Sequence, residues 1–287
     1  VFDIKYTLLS PANSKRGARI RERGQQSVEN VDLVLSRSQE DVPTLIPHCT
    51  KPVLLYPLGV QLADYSPRNP GSGFSACTRF AYVGAIAPLR KLDTLLEYVA
   101  SLPQDIKEIC TFDFFGSGPS EMDFVNTIHR QGLEKIAAFK GCVDTDSLPD
   151  LLAGYDAGIA WVPHEFYDAS PSLKIVEYTV AGLLPIAMDT TAHRRFAERG
   201  FHVSFFSDSP SSFASAIAKS CLKGFSQKDR AGNLTTIKYC DWAYVVEKYM
   251  LPAFHKMLEQ PGVKQKEVRM KSETKQSELH DTHFSAL

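Results

Sequence analysis

Ser170-Pro171-Ser172-Leu173-Lys174-Ile175-Val176-Glu177-Tyr178, followed by Ala181-Gly182-Leu183-Leu184-Pro185-Ile186-Ala187, decides the reading of this chain. Ser and Pro open a helix as N-cap and first-turn residues do. Leu173, Val176 and Val180 recur at helical spacing and predict an apolar face. Gly182 predicts the helix stop, and Leu183 to Ala187 has the continuous apolar character of an inner parallel strand. Lys174 and Glu177 lie three apart and share a face near the helix start. Free amides at a helix start, with a Lys beside them, suit a phosphate. A Glu one turn on suits sugar hydroxyls. The plainer alternative is an amphipathic helix carrying a surface ion pair worth a few tenths of a kcal/mol, about 0.2–0.5.

Working outward, strand and helix patterns alternate over most of the chain, which predicts a doubly wound α/β domain. Strands are expected at Phe80–Gly84, Phe112–Phe115, Ile136–Phe139, Ala157–Val162 and Leu183–Met188. Helices are expected at Leu92–Leu102, from Pro119 to about Gly132, at Leu148–Tyr155, Ser212–Leu222 and Asp241–Met257, the last broken near Pro252. Before them, Phe2–Leu9, Val31–Ser36 and Pro52–Tyr56 read as strands and Arg16–Asn30 as a polar, basic helix. Turn-rich residues 65–75 read as a linker. The charged stretch 259–287 reads as a disordered tail. The expected division is therefore 1–64, a linker at 65–75, a domain at 76–240, a helix at 241–258 and the tail.

With 287 residues, 44% of them hydrophobic, the chain can build a core for one large or two smaller domains. A net charge of −1 provides no basic field for nucleic acid. The longest apolar runs fall short of the roughly 20 residues that span a bilayer. Val1-Phe2-Asp3-Ile4 reads as a strand rather than a secretory signal. The six cysteines (Cys49, Cys77, Cys110, Cys142, Cys221 and Cys240) form no paired or metal-ligand spacing, so reduced thiols and a cytoplasmic setting are expected.

The opening segment resembles the nucleotide-sugar helix of retaining glycosyltransferases of the GT-B fold, particularly family 4 and its relatives, where the pattern runs S-P-L-K-x-x-E-Y-x-A-x-G-x-P-V. Other segments resemble the same family in the same order. Val31 to Ser38 is similar to a late strand of its N-terminal domain. Tyr56-Pro57-Leu58-Gly59-Val60-Gln61 through Pro67 resembles its domain junction. Tyr82-Val83-Gly84 with Arg90 resembles its Y-V-G-R-L-x-x-x-K loop, Gly116-Ser117-Gly118-Pro119 its G-x-G-P turn, and Phe139-Lys140-Gly141-Cys142-Val143 its F-x-G-x-V segment. The resemblance implies a doubly wound Rossmann-like C-terminal domain beside a partial, acceptor-side N-terminal one. It implies transfer of a hexosyl-type sugar, with retention, from a UDP- or GDP-sugar to a hydroxyl of a polysaccharide, glycolipid or similar acceptor. No cofactor and no metal are implied. Asp144-Thr145-Asp146 has D-x-D spacing, but lies where the family carries acidic residues without metal.

The resemblance assigns Gly84, Arg90, Lys91, Gly116, Gly118, Val143, Ser170, Ser172, Leu173, Lys174 and Glu177 to the donor nucleotide. Arg90, Lys91 and Lys174 would meet the diphosphate, Glu177 the ribose and Val143 the base. Catalytic residues are not assigned. Each has a plainer alternative: an exposed helix-start Arg, a strand-to-helix turn for the glycines, a strand-end core residue for Val143. Three departures stand out. Ala169 occupies the place of the family's first Glu, with Asp168 and Glu165 out of register, and Ala85 replaces its first basic residue. Most of the N-terminal domain is absent from the pattern, so a fragment, or a partner chain supplying the acceptor half, is expected. A nucleotide-sugar binding module without catalysis, or an epimerase of the same fold, therefore stays open beside the transferase. His193-Arg194-Arg195 reads as a solvated loop rather than a basic contact surface. Arg16–Arg23 reads as a solvated face, with contact to an anionic acceptor or to lipid at the inner membrane face as the alternative. His129, His164, His202 and His255 have no assigned role.

Overall fold

The computed structural model describes residues 1–4, 15–67, 77–169, 171–224 and 226–259. Two parallel sheets organise them. The smaller has the order β1-β2-β3 and is formed by β1 (Phe2–Ile4), β2 (Val34–Ser36) and β3 (Val53–Leu55), with helices α1 (Lys15–Glu29) and α2 (Asp41–Leu45) between the strands. The larger is six-stranded, with the order β6-β5-β4-β7-β8-β9. Its strands are β4 (Thr78–Val83), β5 (Cys110–Phe115), β6 (Ala137–Gly141), β7 (Ala157–Ala160), β8 (Leu184–Met188) and β9 (Ser204–Phe206). The intervening helices are α3 (Leu92–Ala100), α4 (Gln104–Lys107), α5 (Glu121–Arg130), α6 (Leu148–Ala153), α7 (His164–Tyr167), α8 (Leu173–Val180), α9 (Thr191–Glu198) and α10 (Pro210–Lys223).

Every pairing in the larger sheet is parallel, and the chain reverses its direction of winding between β4 and β7. This is the doubly wound Rossmann-like order. Its ligand crevice lies beyond the carboxyl ends of the two strands at the reversal. Side-chain alternation explains the burial on both faces. Phe80 and Tyr82 of β4 enter one core with Phe112 and Phe114 of β5, while Ala81 enters the other with Ile175, Val176 and Tyr178 of α8. A register shift at Phe114/Phe115 turns Phe115 toward the second core, out of the strict alternation that its neighbours follow. Helix α8 lies close on β7 because Gly158 has no side chain: a Cβ there would fall 2.3 Å from the Tyr178 ring.

After α10 come α11 (Gln227–Thr236), α12 (Trp242–Val245), a π-turn (Val246–Met250) and α13 (Leu251–Leu258). These return to the small sheet, where Trp242, Tyr249, Phe254 and Met257 pack on Leu33, Leu35 and Tyr56. Trp242 N–H donates to the Val60 carbonyl at 3.0 Å. The helix expected over 241–257 is thus three pieces, with Pro252 in the first turn of the last, where a missing N–H is harmless.

Several expectations change. The strand expected over Phe2–Leu9 is described for Phe2–Ile4, and the rest lies outside the described residues, as do 68–75 of the linker and 260–287 of the tail. Helices α9 and α11 and strand β9 occupy a stretch for which the pattern gave no elements. Leu173 is 42% exposed, while Lys174 is buried. The buried face of α8 is set by Tyr178 lying on the sheet, and Lys174, one turn before it, shares that face. Among the described residues no helix is long and apolar enough to cross a membrane.

Candidate donor site at the strand reversal

The loops after β4 and β5 are stitched together by backbone hydrogen bonds. Gly84 N–H donates to Phe115 O, Ile86 N–H to Ser117 O and Ser120 N–H to Ile86 O, at 2.9–3.1 Å. Gly116 permits this approach: it has φ +143°, and a Cβ would fall 1.9 Å from Gly84 O. Gly118 N–H donates to the Glu121 carboxylate at 2.7 Å, closing the turn into α5. The loop after β7 joins the same floor, since Trp161 Nε1–H donates to Arg90 O at 2.8 Å. Tyr178 adds the last tie by accepting the Val83 N–H at 3.0 Å.

Lys174 reaches over this floor. Its aliphatic stem covers Gly84, and its ammonium lies 5.4 Å from the Tyr82 ring centroid. Burial lowers its pKa to about 7, repulsion from Arg90 adds to the shift, and Glu177 opposes it. The Glu177 carboxyl is pushed above its ordinary value by burial, with Lys174 pulling the other way. The pair read from the sequence is therefore an underionised couple above the crevice rather than a surface ion pair. Arg90 ends a one-turn 3₁₀ helix (Pro88–Arg90) and stacks its guanidinium 4.8 Å from the Tyr167 ring centroid. Ser172, at the start of α8, makes no side-chain cap.

The other expected residues are more scattered. Lys91 has left-handed backbone (φ 48°) and pairs with Glu165. Val143 is half-buried against the α8 side of the sheet, and Leu173 projects outward from the first turn of α8. Ser170 lies outside the described residues. Asp144 and Asp146 flank a short 3₁₀ turn, Thr145–Ser147. Asp168, one residue from the place of the family's first Glu, accepts from both the N–H and the hydroxyl of Thr191, at 3.0 and 2.8 Å. It is committed to the start of α9.

Next to the α8 start a cleft opens between the two sheets, with Arg37, Pro57 and Leu58 on one side and Ser172, Ile175 and His193 on the other. Of the residues assigned from the sequence, only Ser172 lines it. Arg195 clamps Glu40 across the two halves, with Nη1 at 2.9 Å from Oε2. His193, read as part of a solvated loop, is instead 1% exposed. The missed signal was Thr190, a helix N-cap ahead of Ala192 and Phe196, which turns His193 inward.

The family model for glycosyl transferases group 1 matches residues 77–221, just over half of the chain and nearly all of the larger sheet. The chain belongs to the glycosyl transferases group 1 family. Among curated proteins, none matches its sequence. Three solved structures illustrate the likeness of this glycosyl transferases group 1 chain in fold. HepE of Anabaena, solved with UDP and glucose, is 16% identical with a TM-score of 0.70, over 90% of this chain and 71% of that one. Sucrose-phosphate synthase from Thermosynechococcus elongatus is 17% identical with a TM-score of 0.67, over 87% and 63%. TarM of S. aureus, solved with UDP, is 12% identical with a TM-score of 0.61, over 89% and 49%. The chain thus spans from about half to seven-tenths of these structures, and shares with them the parallel α/β architecture of GT-B glycosyltransferases.

Proposed function

We propose that residues 76–240 bind a nucleoside diphosphate sugar, UDP- or GDP-linked, and that residues 1–64 supply the partial acceptor-side wall, with 65–75 as linker and 241–258 as a helix returning to that wall. In the reaction, an acceptor hydroxyl oxygen bonds to the anomeric carbon and the bond from that carbon to the phosphate oxygen breaks. The nucleoside diphosphate leaves with the electron pair, and the hydroxyl proton passes to it. The transferred unit is a hexose, configuration is retained, and the acceptor is a carbohydrate or lipid-linked hydroxyl of the kind used in cell-surface polysaccharides. The exposed Arg16, Arg19 and Arg23 on α1 suit an anionic acceptor or membrane surface.

One observation carries this reading: Lys174, a buried cation whose ionisation is resisted by burial and by Arg90, overhangs the strand reversal. A diphosphate there relieves both costs at once. Developing negative charge on the leaving group is stabilised best by such fixed donors in a site shielded from water. Glu177, one turn along α8, is placed for ribose hydroxyls.

A second reading, nucleotide-sugar binding without transfer, is favoured by Ala169 where the family has its first Glu. Asp168 is held by Thr191 and Glu165 by Lys91, so neither substitutes for it. The nucleotide site is tested by calorimetry with UDP, GDP and the parent nucleosides. Wild type is expected to bind the diphosphates, and Glu177→Ala to raise Kd at least about tenfold through lost charge-assisted hydrogen bonds. Arg90→Ala should weaken diphosphate binding more than nucleoside binding, by a margin that added salt narrows. No binding of either diphosphate by the folded chain overturns the reading. Transfer assays with the chain alone, and with a longer chain or partner that completes the N-terminal half, separate enzyme from binding module. Transfer is expected to be slow or absent in the first case.

A further inference from the structure

His193 opens the first turn of α9 and is buried against the strand end of β8. Its Nδ1–H donates to the Met188 carbonyl at 2.7 Å. A carbonyl only accepts, so the proton sits on Nδ1 and Nε2 presents a lone pair. That Nε2 is buried and has no hydrogen-bond partner among the described residues. Buried polar atoms are rarely left so, because an unpaired one costs about 1–3 kcal/mol. Thr190, which caps α9 by accepting the His193 N–H at 3.2 Å, and the Met188 bond together fix the ring.

His193 lines the cleft between the two sheets, beside Ser172 at the start of α8 and opposite Arg37. Other charges facing the ring are Lys174 and Asp189. Burial holds its pKa down near 4, and Lys174 adds to the shift, so the ring is neutral across the physiological range. What it lacks is a hydrogen-bond donor. Ammonium donors are disfavoured by the guanidinium groups of Arg37, Arg195 and Arg199 that line the same cleft. A neutral O–H remains.

We propose that the cleft is a carbohydrate subsite in which His193 Nε2 accepts a hydrogen bond from a sugar hydroxyl. This rests on the donor-site reading, because the cleft adjoins the α8 start. Both the transferred sugar and a carbohydrate acceptor could supply the hydroxyl.

Nitrogen-15 NMR of the His193 ring tests it directly on the whole chain. Four probes are added separately: UDP, UDP-glucose, GDP-mannose, and methyl α-glucoside at high concentration without nucleotide. UDP alone should leave the Nε2 resonance in place, and a sugar-bearing probe should move it in the direction of hydrogen-bond acceptance. Movement with a nucleotide sugar assigns the donor sugar, and movement with the glycoside alone assigns the acceptor. No movement with any sugar-bearing probe overturns the subsite, and does so even where UDP binds and the nucleotide reading stands. Movement with the glycoside in a chain that binds no nucleotide supports the subsite and overturns the nucleotide reading.

A variant pair excludes a purely structural role. His193→Phe keeps the buried ring but removes the acceptor. It should bind UDP within about twofold of wild type, yet bind the sugar-bearing probe roughly three- to tenfold more weakly, the loss of one neutral hydrogen bond. His193→Gln should recover part of the loss. Equal weakening of UDP and the sugar-bearing probe, with a lowered Tm, would show that His193 only packs, and the subsite falls.

Discussion

In the larger sheet β7 and β8 are buried at every position. In the smaller sheet β3 leaves Val53 and Leu55 each 41% exposed. Both are apolar parallel strands, so residue type does not separate them. The difference lies in cover. Helices lie on both faces around β7 and β8, whereas β3 is an edge strand packed through Leu54 on one side by the returning α12–α13 segment. The larger sheet can therefore hold tightly fixed loops at its carboxyl edge, and the candidate donor site sits there. The smaller sheet contributes only the wall of a cleft.

The sharpest test of that contrast is a change that each half should tolerate differently. Gly116→Ala would drive a Cβ to 1.9 Å from the Gly84 carbonyl oxygen, backbone against backbone, at a positive φ. We expect a loss of roughly 3 kcal/mol, since strained backbone and overpacking add. For a chain of this size that is a drop in Tm of roughly 6–12 °C, with nucleotide binding reduced as well. Leu55→Ala in the smaller sheet should cost less than about 1 kcal/mol, as at other half-exposed positions. Thermal unfolding of both variants decides it: equal losses would mean that the smaller sheet is as constrained as the larger.

Lys174 gives the second test, which concerns the site itself. The folded pKa is about 7, against an ordinary 10.5. Between those values the unfolded chain holds a proton that the folded chain has released, so stability should rise with pH through this window. Binding has the opposite sign. A diphosphate favours charged Lys174, so complex formation above pH 7 takes up a proton. Kd should then rise by up to about tenfold per pH unit above 7. Lys174→Met should flatten both dependences, weaken diphosphate binding and raise stability near pH 7, the trade between site and fold expected where a charge is buried for function. Calorimetry in buffers of different ionisation enthalpy counts the proton. No uptake at pH 8 would mean that Lys174 does not meet the phosphate.

Much of this was legible from residue order, and the reasons are physical. The strands β4 to β8 carry long apolar runs with glycine at their ends, a signal that survives without tertiary context. The pattern around Lys174 and Glu177 also placed α8 correctly. The burial of Lys174 did not follow, because it depends on the space above Gly84, which belongs to another strand. The same holds for His193: its helix is polar in composition, and only the Thr190 cap marks its start. Strand β9 has three residues, too few for any period to show. Asp168 illustrates the limit best. In sequence it is a carboxylate one place off register, and only the fold reveals that it is spent on Thr191.

The smallest effect we expect tests what joins the two regions. Arg195 on α9 and Glu40 ahead of α2 form a two-pronged contact, and the Arg195 hydrogen bond is the main cause of a Glu40 pKa lowered to about 2. A carboxylate shifted down contributes stability above its ordinary value of 4.5, lost as pH falls toward 2. The side chains are 48% and 45% exposed, so solvent screens the pair and its worth is below about 1 kcal/mol. The apolar seam between Leu33, Leu35, Tyr56 and the returning helices is larger and drier. Arg195→Ala should therefore lower Tm at neutral pH by no more than about 4 °C, leave a single unfolding transition, and lose that difference from wild type below about pH 2. Two separated transitions in the variant would reverse the ranking. The ion pair, rather than the seam, would then couple the small sheet to the large one, and the cleft beside His193 would be held open or shut by a single surface contact.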